Sequence, residues 1–441
     1  MIKLTIDNSF SKLENFTVDQ ITEIRRILSY TESFQKQQYR FGPKNVRKYL
    51  IDKRGNFPSG LRYILEDWLN KYKHVKVDVR KIPISNPGMF KINLGSIKPY
   101  PEQFESAKVA KEAIRATITM PTGTGKSIAI ALLVNELQLR TLIIVPNLTL
   151  KKQLSESLKQ FFGSLNNIVV ENIDSTSLQT HKDFDLLILD ESHRSAASTY
   201  LKLNKHVWNK IYYRAFFTAS PYRSREEEQL LYESITGPVV YRVKYEDAVA
   251  KKYIVPLEAF YYELPKIKVK QDLNWQGAYS QLVVKNEVRN KLIASLLSNL
   301  HSNGLSTLCL VKEIAHGEDL VARTGAAFAT AKSDDCQELI EWFSNNKIKT
   351  LIGINQIMSE GVDSRPAEYI VIAGLGKSRN QFVQQVGRGF RNFVGKESCK
   401  VILFYDPSHK WTISHFKEQA KFLREEFGIA PTRLDLPEGI V

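Results

Sequence analysis

At 441 residues, with 43% hydrophobic and 25% charged residues, the chain is too long for one typical core and has an ordinary globular composition. Its 62 lysines and arginines against 47 aspartates and glutamates give a formal charge of +15, which suits a polyanionic partner such as nucleic acid. No run nears the roughly 20 apolar residues of a membrane span, MIKLTIDNSF lacks the layout of a signal peptide, and Cys309, Cys336 and Cys399 form no CxxC pair or ligand cluster. These features argue against a membrane protein, a disulfide scaffold or a zinc module, and predict a cytoplasmic protein.

Residues 1–95 are predicted to be a small α+β accessory domain. MIKLTI and VKVDVRKI read as strands, while VDQITEIRRILSY and SGLRYILEDWLNKY carry apolar residues at helical spacing. Residues 1–99 hold 19 basic and 9 acidic side chains, a net +10, so most of the excess charge sits ahead of the body of the chain. Arg25, Arg26, Lys44, Arg47, Lys48, Lys53 and Arg54 are candidates for phosphate contacts, with Phe34, Tyr39, Phe41 and Phe57 for stacking.

Beyond Pro99, short apolar runs alternate with helical patterns, as in parallel sheets with crossover helices. ATITM, TLIIVP, DLLILD and RAFFTAS define an α/β lobe over 96–243. STLCLV, GAAFAT, KTLIGI, EYIVIAG and KVILFYD define a second over 285–441. Between them, residues 244–284 include the polar stretch ELPKIKVKQDLNWQGAY and are predicted to be a linker or insertion, whose Lys266, Lys268, Lys270 and Trp275 could touch nucleic acid.

The stretch MPTGTGKS lies between a predicted strand and a predicted helix, the order a phosphate cradle requires, although Met120 stands where such loops usually have a glycine. Thr122, Gly123, Thr124 and Gly125 would let the backbone approach a nucleotide, Lys126 would reach its β- and γ-phosphates, and Ser127 would ligate Mg²⁺. DLLILDESH places Asp190 to hold the metal and Glu191 to deprotonate an attacking water. QQVGRGFR spaces Arg388 and Arg391 three apart on a predicted helix, where both could stabilise transferred phosphate.

The ordered series PTGTGKS, VPNLTL, DESH, FTAS, LCLVKEIAHGEDL, SEGVD and QQVGRGFR, spread over about 340 residues, resembles the superfamily-two helicases. The resemblance implies two RecA-like lobes that bind ATP and Mg²⁺. Lys126, Ser127, Asp190 and Glu191 would serve the nucleotide, completed by Gly361, Asp363, Gln384, Arg388 and Arg391. It further implies adenine recognition around Tyr100 and Gln103, although PYPEQ spaces those two differently from the family. His193, Thr218 and Ser220 would couple hydrolysis to movement, and Pro146, Asn147 and Ser177 would touch the nucleic-acid backbone.

ITGPVVYRV, VVKNEVRN and FPSGLRYILEDWLNKY resemble phage fork-remodelling and branch-migration helicases of the UvsW kind, and XPB-like helicases. That resemblance implies an ATP-driven motor acting on forked or branched DNA, which is expected to work as a monomer. An RNA helicase, the motor of a restriction enzyme, and a nucleic-acid-binding scaffold with an inactive ATPase site are the alternatives.

Overall fold

The computed structural model describes residues 1–34, 44–80, 90–181, 183–221, 226–330, 335–355, 364–374 and 378–438, with 333 and 376 besides. Gly361, Asp363, Tyr39 and Phe41 lie outside the described residues. The chain divides into two compact units, residues 1–120 with 125–243 and residues 121–124 with 244–441.

In the first unit, the amino-terminal strands Ile2–Ile6, Phe10–Glu14, Asn56–Pro58 and Val75–Val79 form a mixed sheet. Ile2–Ile6 is its centre, antiparallel to Phe10–Glu14 and parallel to Val75–Val79. Helix Val18–Ile27 begins with a capping box, Thr17 Oγ1 accepting the Gln20 N–H while Gln20 Oε1 accepts the Thr17 N–H. Leu4, Leu13, Ile24, Leu28, Phe57, Leu65 and Trp68 meet in one core, and Leu230, from helix Glu226–Thr236, packs against it. A separate two-stranded ribbon, Ser29–Phe34 with Lys44–Tyr49, extends from this domain.

The same unit holds a parallel sheet in the order Val239–Arg242, Arg115–Thr119, Tyr213–Thr218, Leu186–Leu189, Thr141–Val145 and Ile168–Asn172. Its central strands are buried on both faces, which explains continuous apolar runs such as TLIIV and LLIL.

The amino-terminal domain belongs to the compact body of this lobe. Arg115 and Arg214 are paired in register at the amino ends of adjacent strands, Arg214 buried and Arg115 partly buried. Arg115 donates to the carbonyls of Asn8 and Ile235. Arg214 donates to Ser9 Oγ at 3.0 Å, Asn204 Oδ1 at 2.5 Å and the carbonyls of Ile211 and Trp208. Gly60 lies so close to helix Glu226–Thr236 that a Cβ there would stand 2.1 Å from the Glu233 carbonyl oxygen.

The second unit holds a parallel sheet in the order Ala327–Ala329, Thr350–Ile354, Thr307–Val311, Tyr369–Ile372, Cys399–Tyr405, Leu257–Glu263 and Thr432–Leu434. The expectation of a linker over 244–284 is therefore corrected. Leu257–Glu263 pairs along its whole length with Cys399–Tyr405, because its backbone donors and acceptors are satisfied by the sheet. The following segment is tied down as well: the Ile267 N–H donates to Ser408 Oγ at 3.0 Å and Trp411 Nε1 to the Leu273 carbonyl at 3.2 Å. Trp275 is half-buried, its ring centroid 3.9 Å from that of His415.

Together the units give two parallel α/β lobes of RecA-like fold with a small α+β domain at the amino end. Among the described residues, no helix is long and apolar enough to cross a membrane.

Candidate nucleotide site

Strand Arg115–Thr119 runs into the loop, and helix Lys126–Leu137 leaves it. Met120 fits because its side chain is 1% exposed in the core while its N–H donates to the Thr218 carbonyl at 3.1 Å. The missing glycine thus falls on the strand side, away from the cradle. Thr124 closes the turn, its hydroxyl donating to the Pro121 carbonyl at 2.7 Å. Gly125 caps the helix at φ 78°, a left-handed conformation that favours glycine, and a Cβ there would lie 2.4 Å from Gln103 Nε2.

Gln103 is 1% exposed and braces the loop. Its Oε1 accepts the Tyr100 N–H at 2.9 Å and its Nε2 donates to the Gly125 carbonyl at 3.3 Å. The glutamine therefore joins the start of helix Pro101–Ala113 to the phosphate loop.

The acidic pair follows the carboxyl end of Leu186–Leu189. Glu191 sits at φ 48°, a left-handed conformation costly for a residue with a Cβ and characteristic of functional sites. Lys126 Nζ lies 3.4 Å from Glu191 Oε1, and His193 Nδ1 lies 3.3 Å from Glu191 Oε2. His193 Nδ1 is also 3.4 Å from Thr218 Oγ1, whose hydroxyl donates to the Ser220 carbonyl at 3.1 Å and accepts the Ser220 N–H at 3.2 Å. Lys126, Glu191, His193, Thr218 and Ser220 thus form one polar chain along the carboxyl edge of the sheet.

The two carboxylates are driven apart in acidity. Burial, then the negative charge of Glu191, pushes Asp190 up to about 6. Burial alone would raise Glu191 too, but the charges of Lys126 and His193 hold it well below the usual range. Glu191 is thereby kept ionised. Asp190 is a partly buried carboxylate whose charge a cation would relieve, and with the Ser127 hydroxyl it suits an Mg²⁺ ion carried in on a nucleotide.

Arg388 and Arg391 lie in the second unit, and here the structure corrects the helical spacing. Helix Arg379–Gly387 ends before them, Arg388 opens the short 3₁₀ turn Arg388–Phe390, and Arg391 is extended at φ −64°, ψ 135°. The α-helical ladder stops because the carbonyls of this turn bond sideways, that of Phe390 accepting the Val255 N–H at 2.8 Å. Gln384 remains on the helix, partly exposed.

Asn147 caps helix Leu148–Phe162, its Oδ1 accepting the Leu150 N–H at 2.9 Å, and Ser177 lies 2.7 Å from the Ser175 hydroxyl. With Pro146 they follow the carboxyl ends of two neighbouring strands, Thr141–Val145 and Ile168–Asn172. Sequence reasoning passed over Tyr49, which is 45% exposed with the Arg25 guanidinium 4.2 Å and that of Arg47 6.0 Å from its ring centroid. The signal was an aromatic closing the basic strand KNVRKY.

Fold and site define a tandem α/β protein with a phosphate-binding loop. Residues 62–223 match the family described as type III restriction enzyme, res subunit. The chain is 26% identical over 345 residues to DNA 3'-5' translocase XPB2 of Sulfurisphaera tokodaii, covering 66% of this chain and 77% of that protein. It is 27% identical over 365 residues to a protein assigned as helicase 22 of Sulfolobus islandicus filamentous virus, covering 70% of this chain and 64% of that one. This chain thus spans just under two thirds of the viral relative. The DNA-bound Type ISP restriction-modification enzyme LlaBIII superposes on 77% of this chain and 31% of its own, with a TM-score of 0.59 at 15% identity, which establishes shared fold alone. In sequence and in fold, the chain resembles the superfamily-two helicases.

Proposed function

We propose that the chain is an ATP-dependent DNA helicase or translocase that remodels forked or branched DNA. The observation that carries the motor reading is the continuous chain from Lys126 through Glu191 and His193 to Thr218, with Glu191 held ionised at its centre.

Lys126 is paired with Glu191. On ATP binding, the ammonium turns to the β- and γ-phosphates and leaves the glutamate free to orient a water. The Glu191 carboxylate accepts a proton as that water attacks the γ-phosphorus and the bond to the β–γ bridging oxygen breaks, giving ADP and phosphate. Ser127 and Asp190 would hold Mg²⁺, which offsets phosphate charge. Arg388 and Arg391 of the second unit would stabilise the transferred phosphoryl group, with Gln384, Gly361 and Asp363 completing the set. Tyr100 would face the base, while Gln103, buried and bonded to the Tyr100 N–H and the Gly125 carbonyl, braces the loop rather than reading adenine. His193, which touches both Glu191 and Thr218, would pass the state of the catalytic carboxylate to the strand that ends at Ser220.

For the substrate, the name of the Sulfurisphaera tokodaii relative favours DNA. Pro146, Asn147 and Ser177 would contact the strand on which the motor moves. The stack of Arg25 and Arg47 on Tyr49 is a prearranged surface for phosphates: among the described residues, no carboxylate forms an ion pair with either arginine. It would grip the duplex arm of a junction. A soluble, cytoplasmic monomer in replication, recombination or repair fits this reading.

The test is binding and hydrolysis on one set of polymers. Arg25→Glu with Arg47→Glu should weaken affinity for forked DNA more than it lowers turnover at saturating DNA. Unchanged fork affinity would remove the ribbon from the mechanism, and stimulation by RNA alone would reassign the substrate.

A further inference from the structure

The turn that carries Arg388 and Arg391 has little regular structure of its own, yet each of its four carbonyls is bonded. The Arg388 carbonyl accepts from Ser364 Oγ at 3.4 Å and that of Phe390 from the Val255 N–H at 2.8 Å. The other two are served by a single side chain. Lys396, 8% exposed, donates from Nζ to the Gly389 carbonyl at 2.7 Å and to that of Arg391 at 3.4 Å. The same ammonium donates to the Arg365 carbonyl at 3.1 Å. Arg365 follows SEGVDS in sequence, so one lysine ties together the exits of two motif-bearing segments.

Burying an ammonium costs free energy, offset here by three carbonyl dipoles. A methionine of similar length would fill the space at much lower desolvation cost, so filling space alone does not explain a lysine. The ring of Phe390 adds a second fixed point, with centroids 5.1 Å from Tyr245 and 5.0 Å from Phe427. Backbone held at carbonyls and ring leaves little freedom to the Cα atoms from which the two arginines project.

We propose that Lys396 is a positioning residue for phosphoryl transfer: its buried ammonium fixes the backbone of the Arg388–Arg391 turn, and with it the points from which the two arginines assigned to the transferred phosphate project. This rests on the ATPase reading above. Arginines aimed at a transition state lose their effect when displaced by about 1 Å, whereas nucleotide binding at the phosphate loop tolerates such a shift.

The experiment compares the full-length wild-type chain with Lys396→Met and Lys396→Ala. Lys396→Met should lower ATP turnover at saturating ATP and DNA by on the order of 10²-fold, leave binding of a fluorescent ATP analogue within about twofold, and accelerate amide hydrogen exchange at residues 388–392. Propylammonium, which supplies the three carbons and the nitrogen that Lys396→Ala lacks, should restore part of its turnover, and propanol at equal concentration should not.

Wild-type turnover in Lys396→Met, equal rescue by propanol, or failure of both variants to fold would each overturn the proposal and leave Lys396 a structural residue. A wild-type chain with no ATPase would instead refute the functional reading. The exchange measurement would then still decide whether Lys396 locks the turn.

Discussion

The two ends of one sheet use buried charge in opposite ways. Strands Arg115–Thr119 and Tyr213–Thr218 run side by side from Arg115 and Arg214 at one end to the phosphate loop and Thr218 at the other. At the amino end the guanidiniums are bonded to carbonyls, one asparagine and one serine. At the carboxyl end, Lys126, Glu191 and His193 face one another through movable side chains. Charge held by backbone fixes architecture, here the docking of the amino-terminal domain. Charge held by other side chains can change partners when a nucleotide arrives.

The comparison is broken most directly at the carboxyl end. Lys126→Ala and Glu191→Gln should each lower ATP turnover by on the order of 10²- to 10³-fold, while Glu191→Gln retains ATP binding in a filter or fluorescence assay. Arg214→Leu attacks the other end. It leaves Asn204, Ser9 and two carbonyls without their donor, so denaturant titration should show a loss of roughly 3 kcal/mol. If Arg214→Leu folds normally but cannot hydrolyse ATP, the division between the two ends is wrong.

Gly60→Ala probes the same docking surface from the other side, since its methyl group would overlap the backbone of Glu233 and Ser234, which must shift. A cost of about 3 kcal/mol is expected, with turnover per folded molecule unchanged.

A further test reads the pH dependence of stability at Asp190. Its native pKa, raised to about 6 from 3.8, means that the folded chain holds more protons than the unfolded chain between those values, so this group's contribution to stability falls as pH rises through that window. Asp190→Asn should therefore raise the Tm at pH 8 more than at pH 4.5. An equal shift at both values would contradict the burial of that charge.

The local geometry at the carboxyl end was legible in the sequence because it is set by neighbours in the chain: a strand, a glycine-rich turn and a helix opening on Lys126 and Ser127 follow in the expected order, and the two acids stand at a strand end. Met120 was readable as tolerable, and its burial supplies the reason. The docking end was not legible, because an arginine ahead of an apolar run looks like the solvated flank of a strand until Asn8, Ser9 and Asn204 arrive from distant positions. Leu257–Glu263 escaped notice because its partner, Cys399–Tyr405, lies more than a hundred residues away and LEAFYYE opens a polar segment. The arginine turn was misread as helix because its spacing is helical, while Ser364, Val255 and Lys396 bond its carbonyls from outside.

The docking also changes how the amino-terminal domain can be studied. Deleting residues 1–95 removes Asn8 and Ser9 from Arg115 and Arg214, so truncation damages the first lobe together with any DNA grip. Charge reversal at Arg25 and Arg47 leaves that docking intact and is the cleaner probe.

The most direct measurement is steady-state ATP hydrolysis by the wild-type chain and by Glu191→Gln, with single-stranded DNA, linear duplex, a fork, a four-way junction and RNA at matched nucleotide and salt concentrations. Wild-type turnover is expected to be stimulated most by forks or junctions and to be abolished in Glu191→Gln despite retained ATP binding. A wild-type chain inert with every polymer, or a Glu191→Gln chain as fast as wild type, would contradict this reading.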